Sequence, residues 1–182
     1  MDMIDRYAFV KAIKALRFKE LSVRGLSKEA EIGVGTSKAC LDYLYKNKLV
    51  KKNIIGRSHY YKFDMDSFLS RHLKILLSLG EINDSNMVEE IISNHPNVSS
   101  IILYGSVARG DDDEKSDIDI LVVSRKETEI RGLKAEKKLS RELTIISYTL
   151  NEWRKKFKDD KVFYDRIIIE GIPLYGEMPM VS

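Results

Sequence analysis

The chain has 182 residues, of which 43% are hydrophobic and 32% charged, the composition of a globular protein with one medium domain or two small ones. No apolar run approaches the roughly 20 residues that a membrane-spanning helix needs, and the first residues lack the pattern of an export signal. The single cysteine, Cys40, excludes an intrachain disulfide and follows the helical spacing of a core residue. We therefore expect a cytoplasmic protein without a membrane partner.

Charge is distributed unevenly along the chain. Residues 1–80 carry 16 Lys and Arg against 8 Asp and Glu, a net charge of +8, whereas residues 81–182 carry 15 against 20, a net charge of −5. The basic part favours a polyanionic partner, although a solvated lysine-rich surface would give the same balance. This asymmetry predicts two domains with different partners.

Helical and extended patterns alternate in the basic part. Apolar residues recur at helical spacing over residues 7–18, Ser27 is placed as the N-cap of a second helix, and a third helix is predicted over residues 34–46. Two strands, at residues 50–54 and 58–63, flank a Gly-Arg turn and predict a hairpin. The predicted order is therefore helix, helix, turn, helix and basic hairpin.

This order resembles the winged helix-turn-helix domain of prokaryotic transcription repressors over residues 20–63, and we assign residues 1–66 to such a domain. The resemblance implies that the third helix enters a DNA major groove and that the hairpin contacts the DNA backbone. The side chains implied in DNA binding are Thr36, Ser37, Lys38, Lys51, Lys52 and Arg57. The family usually has glycine where Lys48 stands, which implies a different local turn. The alternative is a module that only mediates dimerisation or docks on the other domain.

Residues 67–84 predict a connecting helix that begins at a cap and ends near a glycine. Its apolar side chains are too many for a helix that stands alone in water. We expect this helix to pack on both domains or on a second copy of the chain, so a homodimer stays open.

The most informative pattern lies in the acidic part, in two predicted strands. One apolar strand ends at Gly105-Ser106, and a polar loop leads from there to a strand that begins Asp117-Ile118-Asp119. Side chains alternate along a strand, so both aspartates project from one face while Ile118 enters the core. Two neighbouring carboxylates repel each other unless a cation lies between them, and hard oxygen ligands suit Mg²⁺.

Three further predictions concern the neighbouring segments. The acids of residues 111–114 lack the spacing of an EF-hand and are interpreted as a solvated loop. Residues 127–140 predict a charged helix, and residues 143–148 predict a third strand.

A polar strand end that merely caps a loop would explain the aspartate pair without any chemistry.

The Gly-Ser turn followed by an acid-hydrophobic-acid strand resembles the nucleotidyltransferase superfamily of DNA polymerase beta and kanamycin nucleotidyltransferase, over residues 85–176. The resemblance implies a C-terminal domain at residues 85–182, with a small mixed sheet flanked by helices. The whole chain is thus predicted to be an α+β, multidomain protein.

The resemblance also implies roles for individual residues. Gly105 would let the backbone approach a triphosphate, Ser106 would bind phosphate oxygens, and Arg109 would steady the loop or touch a phosphate. Asp117 and Asp119 would hold one or two Mg²⁺ ions, with Mn²⁺ as a substitute.

The third acid of the family lacks a direct counterpart in this sequence. Thr144 stands at the usual position on the third strand and cannot act as a base. Glu142 lies two residues earlier, on the same face if the strand starts there, and is the candidate third metal-binding and catalytic carboxylate. A solvated glutamate at a strand edge is the alternative.

Two functional hypotheses follow. A Mg²⁺-dependent nucleotidyltransferase would move an NMP group from an NTP to a hydroxyl on a protein, nucleic acid or small molecule. A non-catalytic regulator would instead bind DNA and use its transferase-like domain to sense nucleotide or a partner. The two coexist in the autoregulating toxin–antitoxin-like systems to which small nucleotidyltransferases often belong, so a protein partner is a further expectation.

Overall fold

The computed structural model describes residues 3–181, with side chains described from Tyr7 onward. The chain divides into two compact units, the first ending at Leu77 and the second beginning at Ser78. Among the described residues, no helix combines the length and the apolar character needed to cross a membrane.

The N-terminal unit combines helices with a short antiparallel sheet. Its elements are α1 (Met3–Leu16), β1 (Leu21–Ser22), α2 (Val23–Glu29), α3 (Val34–Lys46), β2 (Val50–Ile55) and β3 (Ser58–Phe63). The strands lie in the order β1-β3-β2, and β2 pairs with β3 as a hairpin. Leu26 of α2 and Leu41 and Leu44 of α3 are fully buried in one core, which fixes these helices against each other.

The second helix begins earlier than predicted. Its N-cap is Ser22, whose hydroxyl accepts a hydrogen bond from the backbone N–H of Gly25 at 3.1 Å. Ser27 lies inside the helix and donates its hydroxyl to the carbonyl of Ile32 at 2.6 Å, so the predicted cap was wrong. Both serines fit the local capping pattern, and burial of Leu26 favours the earlier start.

The turn after α3 closes as a Schellman motif although it lacks the usual glycine. The N–H of Leu49 donates to the carbonyl of Leu44 at 2.9 Å, and the N–H of Lys48 donates to that of Tyr45 at 3.0 Å. Lys48 has a φ of +56°, in the left-handed region. The expectation of a different turn was wrong, because a lysine here adopts the conformation of glycine at a steric cost.

The C-terminal unit is a mixed sheet covered by helices on both faces. Its helices are α4 (Phe68–Ser85), which begins before the division, α5 (Met87–Asn94), α6 (Gly105–Arg109), α7 (Leu150–Asp159) and α8 (Lys161–Glu170). Its strands are β4 (Val98–Tyr104), β5 (Ile118–Ser124), β6 (Leu143–Thr149) and β7 (Ile172–Gly176). They lie in the order β6-β5-β4-β7, with β5 parallel to β6 and β4 antiparallel to both neighbours. The predicted α+β fold with a small mixed sheet flanked by helices is confirmed.

Both faces of the sheet are buried, which explains the unbroken apolar run of β5. Ile118 and Ile120 face one core, which includes side chains of α5. Leu121 and Val123 face the other core, which includes Trp153 of α7. A central strand with two buried faces carries apolar residues at successive positions rather than at alternate ones.

The predicted charged helix over residues 127–140 was wrong. This segment forms one short 3₁₀ helix, Lys134–Lys138. The Glu90 carboxylate of α5 accepts hydrogen bonds from the N–H groups of Lys134 and Ala135, at 2.8 and 2.9 Å. These two hydrogen bonds lower the pKa of Glu90. A tertiary contact therefore competes with the helical pattern, and local periodicity could not reveal it.

A buried ion pair joins the loop after α6 to the segment before β6. Nη1 of Arg141 donates to Oδ2 of Asp112 at 2.7 Å, and the two side chains are 3% and 0% exposed. Nη2 of Arg141 also lies 3.5 Å from Oε2 of Glu81 in α4. The interpretation of residues 111–114 as a solvated loop was wrong for Asp112, because its carboxylate compensates a buried guanidinium.

Removing one partner of this ion pair should be strongly destabilising. Arg141→Ala leaves the Asp112 carboxylate buried without its guanidinium and should lower the free energy of unfolding by about 3–5 kcal/mol, measured by urea denaturation. The double variant Arg141→Met, Asp112→Leu should lose less than the single variant, because neither charge of this pair remains. Arg125→Ala, at an exposed arginine, is the matched control and should change stability by less than ~0.5 kcal/mol. A comparable loss in the control would contradict this assignment.

Candidate functional site

The Gly-Ser turn is where β4 passes into α6, and its glycine is sterically required. Gly105 has a φ of +76°, which L side chains rarely adopt. A Cβ atom at this position would overlap Oδ2 of Asp119. The next residue, Ser106, is half-buried in the first turn of α6. The structure therefore brings the turn and the second aspartate together.

Asp117 immediately precedes β5, and Asp119 is the second residue of the strand. Their spacing of two residues matches the alternation that sets side chains on one face of an extended chain. Asp117 is exposed, whereas Asp119 is half-buried and sits opposite Tyr104 in the antiparallel ladder. Burial is the main cause that raises the pKa of the Asp119 carboxyl, and the negative charge of Asp117 raises it further. The positive charge of Arg109 acts in the opposite direction and lowers this pKa. The carboxylate pair thus carries negative charge that the surrounding side chains do not fully compensate.

Tyr104 forms an aromatic wall beside this pair. The pKa of Tyr104 is raised to about 12, mainly by burial and further by the nearby Asp119 and Tyr148. Its ring meets that of Phe163 edge-to-face, with the centroids 5.9 Å apart. The hydroxyl therefore stays neutral at physiological pH and can act as a hydrogen-bond donor.

The third strand places a hydroxyl, not a carboxylate, beside Asp119. Thr144 of β6 is the direct partner of Asp119 in the parallel ladder. Glu142 lies one residue before the first paired residue of β6, and its carbonyl accepts a hydrogen bond from the N–H of Ile118 at 2.8 Å. Extending the register by one residue sets Glu142 beside Asp117, and the Glu142 side chain is exposed.

Two carboxylates at this spacing fit a hard divalent cation. Mg²⁺ binds proteins through one or two carboxylates and takes further oxygens from water and substrate phosphates. A cation would also relieve the repulsion that contributes to the raised pKa of Asp119. Across residues 3–181, no group of three or more His, Cys, Asp or Glu is arranged to hold a metal, so Glu142 does not complete a three-carboxylate cluster in this conformation.

Arg109, at the end of α6, is held by two carboxylates. Its Nε donates to Oδ2 of Asp111 at 3.0 Å, and its Nη1 donates to Oε2 of Glu170 at 3.1 Å. These hydrogen bonds raise the pKa of Arg109 further. The contacts agree with the loop-steadying role expected for this residue. Sequence reasoning missed Glu170, because it lies at the end of α8 and carries no local signal.

A groove of about 440 Å³ lies at the other end of β6. Ser147, Tyr148 and Thr149 line it together with residues 127–131. None of the candidate active-site residues lines this groove, so it is distinct from the site of the aspartate pair.

The residues proposed for DNA binding differ in accessibility. Lys38 on α3 and Arg57 in the hairpin turn are exposed, and Thr36 is half-buried. Ser37 is fully buried and donates its hydroxyl to the carbonyl of Gly33 at 3.0 Å. The prediction for Ser37 was therefore wrong, because its side chain faces the core and not the surface of α3.

The two lysines of β2 have different partners. Nζ of Lys51 lies 3.0 Å from Oδ1 of Asp64 and 2.5 Å from Oδ2 of Asp66. Nζ of Lys52 instead lies 5.8 Å from the ring centroid of Tyr45 and 6.0 Å from that of Tyr61. Carboxylates thus partly neutralise Lys51, whereas Lys52 presents its charge over aromatic rings.

Comparison with known proteins places the acidic part of the chain in a family. Residues 86–179, just over half of the chain, match the family model described as polymerase beta, nucleotidyltransferase. No curated protein matches the chain. One similar solved structure is human N-acetylserotonin methyltransferase in complex with SAM, at 14% identity, covering 46% of this chain and 30% of that one. Its TM-score of 0.31 is too low to support any inference. The matched segment contains the Gly-Ser turn and both aspartates, so the chain belongs to the polymerase beta nucleotidyltransferase family.

Proposed function

We propose that the C-terminal unit transfers an NMP group from an NTP to a hydroxyl acceptor and releases pyrophosphate. The observation that carries this proposal is the contact between Gly105 and the Asp119 carboxylate, which sets an open backbone turn directly beside paired acids. In the reaction, the acceptor oxygen forms a bond to the α-phosphorus while the bond from that phosphorus to pyrophosphate breaks. The acceptor hydroxyl loses its proton to a base.

Each residue of the site has a proposed part in this transfer. Asp117 and Asp119 hold Mg²⁺, which when bound neutralises phosphate charge. Ser106 and the backbone at Gly105 orient the triphosphate, and Glu142 accepts the proton of the acceptor hydroxyl. Arg109 keeps α6 in place through its two carboxylate partners.

The position of Thr144 beside Asp119 supports a second candidate function. A threonine cannot supply the third carboxylate, and a domain that keeps nucleotide affinity without turnover would act as a sensor. In that case the chain is a DNA-binding regulator, and the transferase-like domain responds to nucleotide or to a partner protein.

Transfer of label by the parent chain should separate these two functions, and loss of Asp117 should show that the transfer depends on this site. With α-labelled ATP and Mg²⁺, the parent chain should transfer label to protein or nucleic-acid acceptors. Asp117→Asn should reduce the rate by roughly a hundredfold or more, since charge stabilisation at the reacting phosphate is lost. Glu114→Gln, at an exposed acid of the same region, is the matched control. Nucleotide binding by the parent without transfer to any acceptor would refute the enzyme and favour the sensor.

The raised pKa of Asp119 predicts opposite stability effects with and without metal. In the metal-free protein the folded state holds the Asp119 proton more tightly than the unfolded chain, so stability falls as pH rises through the raised pKa. Asp119→Asn should remove this fall and raise the melting temperature in EDTA at pH 7. Added MgCl₂ should stabilise the parent but not the variant. Equal stabilisation of both by MgCl₂ would argue against metal binding at this carboxylate.

We propose further that the N-terminal unit is a winged helix-turn-helix domain that binds duplex DNA. Its element order, its hairpin and the net charge of +8 over residues 1–80 support this proposal. Lys38 on α3 and Arg57 at the hairpin turn are the accessible cations best placed to contact DNA. If the unit instead serves in dimerisation, its association should not depend on the charges of Lys38 and Arg57.

Salt dependence tests the DNA surface. Each phosphate contact contributes about 0.9 to the slope of log affinity against log salt, so Lys38→Ala with Arg57→Ala should reduce that slope by about 1.8. Fluorescence anisotropy with a labelled duplex at several salt concentrations measures this slope. Lys14→Ala with Lys155→Ala removes the same charge from exposed positions outside α3 and the hairpin and should leave the slope nearly unchanged. An unaltered slope in the first double variant would reject this docking.

A further inference from the structure

The N-terminal unit contains a basic groove beside the end of α3 and the start of β2. The groove has a volume of about 600 Å³, within the usual range for sites that bind small molecules. Its lining includes Tyr45, Lys46, Lys48, Val50, Lys51 and Lys52. Four lysines therefore line a space to which an aromatic and an aliphatic residue also contribute.

The charge in this groove exceeds what its own carboxylate compensates. Asp64, which also lines it, forms an ion pair with Lys51. Among the described residues, no carboxylate lies within salt-bridge distance of Lys46, Lys48 or Lys52. Three ammonium groups without an acidic partner at one concave surface attract a ligand with concentrated negative charge.

The backbone at Lys48 is unfavourable for stability, which points to a role for its side chain. Lys48 has a φ of +56° at the position of the Schellman turn that glycine normally occupies. Left-handed backbone at a residue with a side chain is a form of local strain that tends to persist at functional sites. The lysine adds a charge to the groove that glycine could not provide.

The aromatic wall adds a second recognition element. The Tyr45 side chain is 50% exposed, and its ring lies edge-on to that of Tyr61 with the centroids 6.4 Å apart. The ammonium of Lys52 lies over both rings. A flat heteroaromatic ring can stack on an exposed tyrosine while its phosphate meets the lysines, and base–aromatic stacking is favourable for any base.

We infer that this groove binds a nucleotide, with its phosphate among Lys46, Lys48 and Lys52 and its base against Tyr45. The ligand is either a free nucleotide or one nucleotide unit of a single strand, since both present the same phosphate and base. Lys51 and Lys52 also belong to the proposed DNA surface, so occupancy of the groove competes with duplex DNA at the hairpin. The inference does not depend on nucleotidyl transfer, because every residue that it uses lies in the N-terminal unit.

The test uses the full chain with Asp117→Asn and Asp119→Asn, in EDTA, so that the transferase site contributes no metal-dependent binding. Ribose-labelled fluorescent ATP and a labelled single-stranded oligothymidylate are titrated separately. Lys48→Gly should weaken binding of the occupying probe by about tenfold, as expected for one charge-assisted contact. The same substitution should raise the melting temperature, because it relieves the backbone, so weaker binding cannot result from unfolding.

Two further variants make the result decisive. Tyr45→Leu should weaken labelled ATP but leave competition by inorganic tripolyphosphate unchanged, which isolates the stacking contribution. Lys14→Gln, at an exposed lysine outside the groove, should bind as the parent does. Binding of ATP identifies a free nucleotide, and binding of the oligonucleotide alone identifies a strand. Unchanged affinity in Lys48→Gly, or an equal loss of affinity in Lys14→Gln, overturns the inference. Label transfer and duplex binding by the parent chain test the proposed function separately.

Discussion

The approach of the Asp119 carboxylate to the α-carbon of Gly105 is the constraint on which the C-terminal unit depends. A Cβ atom at residue 105 would overlap the carboxylate where it lies, and the left-handed backbone at the turn also disfavours a side chain. The contact requires β4 and β5 to pair in the register that sets Tyr104 opposite Asp119. That register is fixed because β5 buries apolar side chains on both faces, so a slip by one residue would turn Asp119 into the opposite core.

Positive charge around this contact is held by carboxylates of the chain itself. Arg109 is bound by Asp111 and Glu170, and Arg141 is bound by Asp112. These pairs shape the loop between α6 and β5 and anchor the segment that leads into β6. Apart from the opposing effect of Arg109 on Asp119, these arginines are occupied by other carboxylates, so the negative charge of the aspartate pair stays largely uncompensated.

The sequence was most informative where the chemistry is local. The Gly-Ser turn and the acid-hydrophobic-acid strand lie close together in the sequence, so their pattern indicated the family, whereas the approach of Asp119 to Gly105 is a finding of the structure. Three of the four strands were also predicted, because they are short apolar runs between turn residues. The mixed sheet followed from the family resemblance, and β7, which contains Pro173, was not predicted as a strand. The family match over residues 86–179 agrees with that part of the prediction.

The errors arose where a side-chain hydrogen bond, to a distant or to a nearby residue, decides the local structure. Glu90 reaches the backbone of residues 134 and 135 and limits a predicted helix to one 3₁₀ segment. Arg141 buries Asp112 in a loop whose acids otherwise have the composition of a solvated one. Ser37 satisfies its hydroxyl within its own helix turn and so can lie in the core, which polarity alone does not predict. In each case the deciding contact is a hydrogen bond, and side-chain periodicity contains no information about its partner.

The two edges of the C-terminal sheet are protected to different degrees. The outer strand β7 contains Pro173, which has no N–H to offer to another chain and so discourages sheet extension on that side. The opposite outer strand, β6, has the sequence LTIISYT, without proline and rich in β-branched residues, and it is half-buried along its whole length. Any aggregation or sheet-mediated assembly of this unit is therefore directed to the β6 edge, and solubility depends on how that edge is covered.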